Sequence, residues 1–444
     1  MVSVLRRTAL LVAAAAPTAV AQTPATPTAS AATTQAAMRR IDQIMPKVVA
    51  WRRDIHQHPE LGNREVRTAK VVADHLRSLG MEVKTGVAHT GVVGVLRGGK
   101  PGPVVALRAD MDALPVTEQV DLPFASKVRT TYNGQDVGVM HACGHDNHVA
   151  ILMGVAEVLA GMKSELTGSV KFIFQPAEEG APEGEQGGAK MMLDEGVFTN
   201  PAPEVIFGLH VWPDTVGRLT YREGGTMAAS DGMRIVVRGK QTHGAAPWGG
   251  VDPIVVSAQI INALQTIPSR QMDITAAPSI VTVGMIQGGV RGNIIPDSVV
   301  MVGTIRTFDA LHQKDIHARI KRTVEKVAEA AGATAEVSIL LGYPVTFNDP
   351  ALTRRMAPTL ARVARDGKAA ITQPITGAED FSFFQQKIPG LYFFLGVVPD
   401  GVDPAKAPKN HSPLFFADEK ALPVGVRALT QLTLDYMAGG KVVQ

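Results

Sequence analysis

Cysteine is almost missing from this chain: Cys143 is the single thiol in 444 residues. One thiol excludes an internal disulfide framework, so Cys143 needs another reason to be present. Aromatic residues are scarce at 5%, while Gly and Ala are frequent, a balance that favours close helix–sheet packing in an α/β protein. An excess of one charge is lacking too. Lys and Arg number 44 against 41 Asp and Glu, and no basic block or stripe stands out, so no nucleic-acid partner is expected. The apolar stretch at the N-terminus, Thr8–Val20, is too short to cross a bilayer core of about 30 Å. It follows Arg6-Arg7 and ends at Ala19-Val20-Ala21, the order of an export signal with its cleavage site. The expectation is a signal peptide over 1–21 and a flexible Ala/Thr/Pro-rich linker over 22–37. The protein itself is then exported, periplasmic or secreted, with no membrane anchor after cleavage. The arginine pair leaves general and twin-arginine export both open.

The length favours two or three domains. Apolar residues at 3 to 4 spacing predict a helix over 37–58, stopped by Pro59, and a second over 65–79, ended by Gly80. Short apolar runs at Gly91–Leu96, Pro103–Ala109, Val170–Phe174 and Val205–Leu209 read as strands, and 148–162 as a buried helix. Strands alternating with helices predict a largely parallel sheet. Between about 225 and 341 the order becomes β-α-β-β-α-β, the ferredoxin-like split arrangement. The fold class is therefore α/β: a mostly parallel-sheet domain over 38–224 and 342–444, with an inserted ferredoxin-like α+β domain over 225–341.

Chemistry concentrates in two motifs, Met140-His-Ala-Cys-Gly-His-Asp-Asn-His148 and Phe174-Gln-Pro-Ala-Glu-Glu-Gly180. A lone cysteine is most often a small buried hydrophobe, but this one stands two residues from His145. A thiolate and an imidazole at that spacing, with a Glu-Glu pair ending a later apolar run, point to a metal site with a built-in general base. In an extended backbone the side chains of Glu178 and Glu179 diverge, so one could ligate while the other faces a water. Asp110 and Asp112 share one face of a strand end, although Asp-x-Asp is equally common in solvated turns. His210 and His411 are further ligand candidates, one ending an apolar strand and the other in a polar loop. Two rival readings stay open: Cys143 as a nucleophile with His145 as its base, and a metal-dependent binding or sensor protein without turnover.

These motifs, with Arg52-Arg-Asp-Ile-His-Gln-His-Pro-Glu-Leu-Gly62, Leu107-Arg-Ala-Asp-Met-Asp-Ala-Leu-Pro115, Gly208-Leu-His-Val-Trp-Pro213, Gly239-Lys-Gln-Thr-His-Gly-Ala-Ala-Pro247, Gly303-Thr-Ile-Arg-Thr307, Gly377-Ala-Glu-Asp-Phe381 and His411-Ser-Pro413, carry a resemblance. The chain resembles the M20 metallopeptidase and amidohydrolase family. The branch is that of hippurate hydrolase-like, N-acyl-amino-acid and indoleacetyl-amino-acid hydrolases, and the likeness runs from about Arg52 to the C-terminus. It implies that Cys143, His145, Glu179, His210 and His411 bind two divalent metal ions, with Glu178 as general acid/base and Asp112 as a carboxylate beside the metals. Zinc suits thiolate and imidazole ligands, while manganese and cobalt also fit the set. The resemblance further implies a homodimer through the inserted domain and a His243 that reaches across it to the reacting carbonyl. Asn293 and Arg306 then hold the carboxylate of a small N-acyl amino acid or peptide substrate. Two departures stand out. The stretch Gly180–Gly188 is longer than in close relatives, and Trp248 stands where many relatives carry His.

Overall fold

The computed structural model describes residues 28–439; the signal-peptide expectation lies outside them. Its centre is an eight-stranded sheet. In spatial order the strands are Glu82–Val87, Gly91–Arg97, Thr167–Gln175, Lys100–Asp110, Val205–Thr215, Gly390–Val398, Leu219–Tyr221 and Ala369–Ile371. The four in the middle run parallel. Antiparallel pairs occur toward both edges, and the last pair, Leu219–Tyr221 with Ala369–Ile371, is parallel again.

Alternation along the strands explains why both faces are covered. Val105 and Leu107 point into one large core, with Phe172, Phe207 and the helices Ala31–Gln57, His145–Ala160 and Leu422–Gly439. Ala106, Ile173, Ile206 and Phe394 point the other way, into a smaller core with Phe381 and Phe384. The first helix starts earlier than composition indicates. Ser30 caps it by accepting from Thr33 N, and Ala37 is fully buried, so 31–37 is helix and not part of a flexible linker.

Residues 229–340 build a separate antiparallel sheet in the order Ser279–Gly288, Ser298–Thr307, Ala229–Arg238, Thr334–Leu340. Two helices, Pro253–Thr266 and Ala310–Ala330, lie on it. Its core is its own: Ile235, Val256, Ile260, Met301, Ile316 and Ile320 pack together. Among the described residues no helix is long and apolar enough to cross a membrane.

Candidate metal centre

The carboxyl ends of the parallel strands converge on one spot, the place where open α/β sheets assemble their sites. Lys100–Asp110 delivers Asp110 and then Asp112. Thr167–Gln175 leads into Glu178-Glu179. Cys143 lies in a turn and His145 opens a helix. Gly144 makes that possible: its φ is +89°, and a Cβ there would come within 2.4 Å of Val211. His210 sits inside the Val205–Thr215 strand rather than at its end. His411 has φ +70°, and its N–H donates to the Ala142 carbonyl at 2.8 Å. Asn410 Nδ2 reaches the Cys143 carbonyl at 3.1 Å, so the distant loop is fastened to the cysteine turn.

Glu178 and Glu179 also form a turn, not an extended segment, preceded by Ala177 at φ +51°. Their carboxylates therefore do not diverge; both come within 4.8 Å of the His145 ligand atom. Side chains hold three backbone atoms of this turn, two of them on the one peptide group between Glu178 and Glu179. Glu65 Oε1 accepts from Ala177 N at 2.8 Å, Asp112 Oδ2 accepts from Glu179 N at 2.9 Å, and Tyr343 Oη donates to the Glu178 carbonyl at 2.6 Å.

All five candidate ligands belong to overlapping clusters: Cys143, His145 and His210; Cys143, Glu179 and His411; His145, Glu178 and Glu179. Cys143 Sγ is 3.4 Å from His210 Nε2, and His411 Nε2 is 3.0 Å from Glu179 Oε1. Hydrogen bonding fixes the imidazoles for ligation. Nδ1 of His145 donates to the Asp112 carbonyl at 2.8 Å and Nδ1 of His210 to the Val211 carbonyl at 2.7 Å, leaving both Nε2 atoms as lone-pair donors. His145 Nε2 is buried with no hydrogen-bond partner. An orphaned buried imidazole nitrogen beside a thiol and a carboxylate fits a divalent cation, which would take the place of its proton.

The electrostatics fit the same conclusion. Burial pushes the Cys143 thiol well up, reinforced by Glu179 and Glu178. Burial likewise pushes Glu178 well up, with Glu379 and Glu179 adding to it. His145 moves up to about 10: burial opposes its charge, but Asp110 and Asp112 outweigh burial. Burial and His148 hold His210 well below its ordinary value, as a neutral imidazole. So many carboxylates around one thiol repel one another unless cations lie between them.

Behind the cluster stands a buried ionic network that sequence reading missed. Arg108 pairs with Asp110, and its Nη2 lies 2.9 Å from both Glu379 and Asp380. Its signal was an arginine inside an apolar strand motif, where burial requires partners. A cavity of about 290 Å³ opens onto the cluster, walled by Glu178, Trp212, Met227, Gly377 and Asn410. His243, Asn293 and Arg306 do not line it. His243 pairs with Ile294 next to Asn293 in an exposed two-stranded loop, and Arg306 lies on the Ser298–Thr307 strand.

A thiol, three imidazoles and a carboxylate around an orphaned centre, at the strand ends of an α/β sheet, define a metal-dependent hydrolase type of site. Comparison with known proteins agrees. The model for peptidase family M20/M25/M40 matches residues 106–435, and the chain belongs to that family. It is 42% identical over 401 residues to a thermostable carboxypeptidase of Saccharolobus solfataricus, covering 89% of this chain and 97% of that one. It is 37% identical over 390 residues to an N-acetylcysteine deacetylase of Bacillus subtilis, covering 87% and 96%. Among solved structures, a dinuclear metal-binding M20 peptidase of Bacillus subtilis superposes with a TM-score of 0.74 at 36% identity, over 88% of this chain and 98% of that one. The protein is accordingly a hydrolase of the M20 amidohydrolase and carboxypeptidase type.

Proposed function

We propose that this protein cleaves the amide bond of N-acyl amino acids or short peptides, with Glu178 carrying the proton. The observation that supports it most is the placement of Glu178. It is 5% exposed, borders the cavity, and lies against the ligand cluster without being needed to complete the thiol–imidazole set. A pure binding site has no use for such a carboxylate, which weighs against the sensor reading. The nucleophile reading gives no role to Glu178, Glu179 or His411. In addition, burial holds the Cys143 thiol in its protonated form.

Cys143, His145, Glu179, His210 and His411 would hold two divalent ions, with zinc, manganese and cobalt all compatible with the donors. Such ions supply Lewis acidity, polarising a carbonyl and making a nearby water more acidic. Glu178 accepts the proton of the attacking water and returns it to the leaving nitrogen. Asp112 keeps two groups in register, His145 through its carbonyl and Glu179 through its carboxylate.

His243, Asn293 and Arg306 enter this reading through a second copy of the chain. Ser279–Gly288 is an edge strand with Ile280, Met285 and Ile286 exposed along it, an apolar border suited to a twofold partner. The partner subunit's His243 then donates to the developing oxyanion, while Asn293 and Arg306 engage the substrate carboxylate. The N-terminal signal pattern supports export of the working enzyme.

The test is a panel of N-acyl amino acids and dipeptides assayed with metal-loaded and chelated protein. Hydrolysis lost on chelation and restored by divalent metal supports the proposal. Hydrolysis that persists without metal, or binding with no turnover across the panel, removes it.

A further inference from the structure

The chain returns from the four-stranded unit through Leu341, Gly342 and Tyr343, and this crossing is bonded on both sides. Gly342 N donates to Asp231 Oδ1 at 3.3 Å, and Ser230 N donates to the Tyr343 carbonyl at 2.9 Å. The outgoing and returning segments are thus stitched together. The approach is close enough that a Cβ on Gly342 would meet the Ser230 carbonyl at 1.9 Å. Asp231 is itself held by Gln313 and His317, each at 2.8 Å, from the Ala310–Ala330 helix of that unit.

From the crossing, Tyr343 reaches into the other unit. Its ring packs edge-on against Phe383 at 6.1 Å, and its hydroxyl donates to the Glu178 carbonyl at 2.6 Å. Of the three side chains that hold the Ala177–Glu179 turn, Glu65 and Asp112 belong to the eight-stranded unit. Tyr343 alone belongs to the crossing. Backbone at positive φ on a non-glycine residue persists only when its surroundings over-determine it, so each of the three bonds matters for where the Glu178 side chain starts.

We propose that Tyr343 is a positioning residue that ties the placement of Glu178 to the orientation of the four-stranded unit. A contiguous set of contacts runs from the Ala310–Ala330 helix through Asp231, Gly342 and Tyr343 to the peptide of Glu178. Movement of that unit about its crossing then moves, or frees, the turn that carries the proton-transferring carboxylate. This inference rests on the role given to Glu178 above.

Tyr343→Phe removes the hydroxyl and keeps the ring on Phe383. In metal-loaded protein with an unchanged melting temperature, kcat should fall roughly 3- to 10-fold, the range for one lost hydrogen bond, with KM and metal stoichiometry unchanged. Amide hydrogen exchange over residues 174–182 should speed by a similar roughly 3- to 10-fold in metal-free and loaded protein alike. Combining Tyr343→Phe with Glu178→Gln should lower activity no further than Glu178→Gln alone, because the tyrosine acts through the carboxylate. Unchanged kcat with unchanged exchange, a loss confined to KM, or additive losses in the double variant would each overturn the inference. If Glu178→Gln stays active while exchange still speeds in Tyr343→Phe, the tether stands and the role of Glu178 falls.

Discussion

The cradle at the strand ends and the tip of the four-stranded unit are built on opposite principles. In the cradle, Cys143, His145, Glu178 and His210 are buried, their backbones are pinned, and both ring tautomers are set by carbonyl acceptors. At the tip, His243 and Asn293 are exposed on a short paired loop, and Trp248 is 85% exposed beside them. A group whose chemistry depends on low dielectric has to be buried in its own chain. Under the proposed pairing of two chains, a group that completes a neighbour's site has to stay on the outside of its own. The contrast is then between a cradle pre-organised within its chain and loop residues left open to a partner.

Several measurements sharpen or break that contrast. The largest effect belongs to the cradle. Glu178→Gln should keep its metal and lose about 10²–10⁴-fold in kcat, read from steady-state kinetics beside metal analysis. Near wild-type turnover in a folded, loaded variant would remove Glu178 from the mechanism. Next comes His243→Ala at the tip, with an expected loss of about 10²–10³-fold in kcat and no change in melting temperature, because its side chain is exposed.

The cradle also predicts coupling of metal to protons. Cys143 and His145 both sit above their ordinary values, so both carry protons at neutral pH when no metal is bound. Loading must displace them, which means that metal affinity falls as pH falls. Calorimetry in buffers of different ionisation enthalpy should report net proton release on loading near pH 7. Metal should likewise shield Cys143 from alkylation, and buffer-independent heats with equal labelling would contradict its role as a ligand. The smallest effect is at the tip: Trp248→Ala should change stability by no more than about 0.5 kcal/mol in thermal unfolding, while altering the ranking of acyl groups.

How legible was this in the sequence? The residues that cluster were, because Cys143–His145 and Glu178–Glu179 are local motifs, while the family resemblance added weight to His210 and His411. Their conformation was not. The Glu178–Glu179 turn is set by Glu65, Asp112 and Tyr343, residues far apart in the chain. Many strands and helices followed from apolar patterning, including the ferredoxin-like order of 229–340, where alternating burial is strong, but the helices Pro350–Val363 and Leu422–Gly439 were not read. The Arg108–Glu379–Asp380 network was hidden because its partners lie more than 270 positions apart. The early start at Ala31 was hidden by composition, since a cap at Ser30 and tertiary burial outweigh an Ala/Thr-rich segment's poor pattern.

One experiment tests the divided site most directly. His243→Ala protein and Glu178→Gln protein, each inactive alone, are mixed and allowed to exchange subunits. If His243 serves the partner's cradle, each heterodimer holds one intact site; statistical exchange of an equal mixture makes half the dimers heterodimers, so activity climbs toward about a quarter of wild type. If labelled subunits are seen to exchange and activity stays at the level of the separate variants, the tip does not complete a neighbouring site, and the contrast drawn between the two regions is wrong.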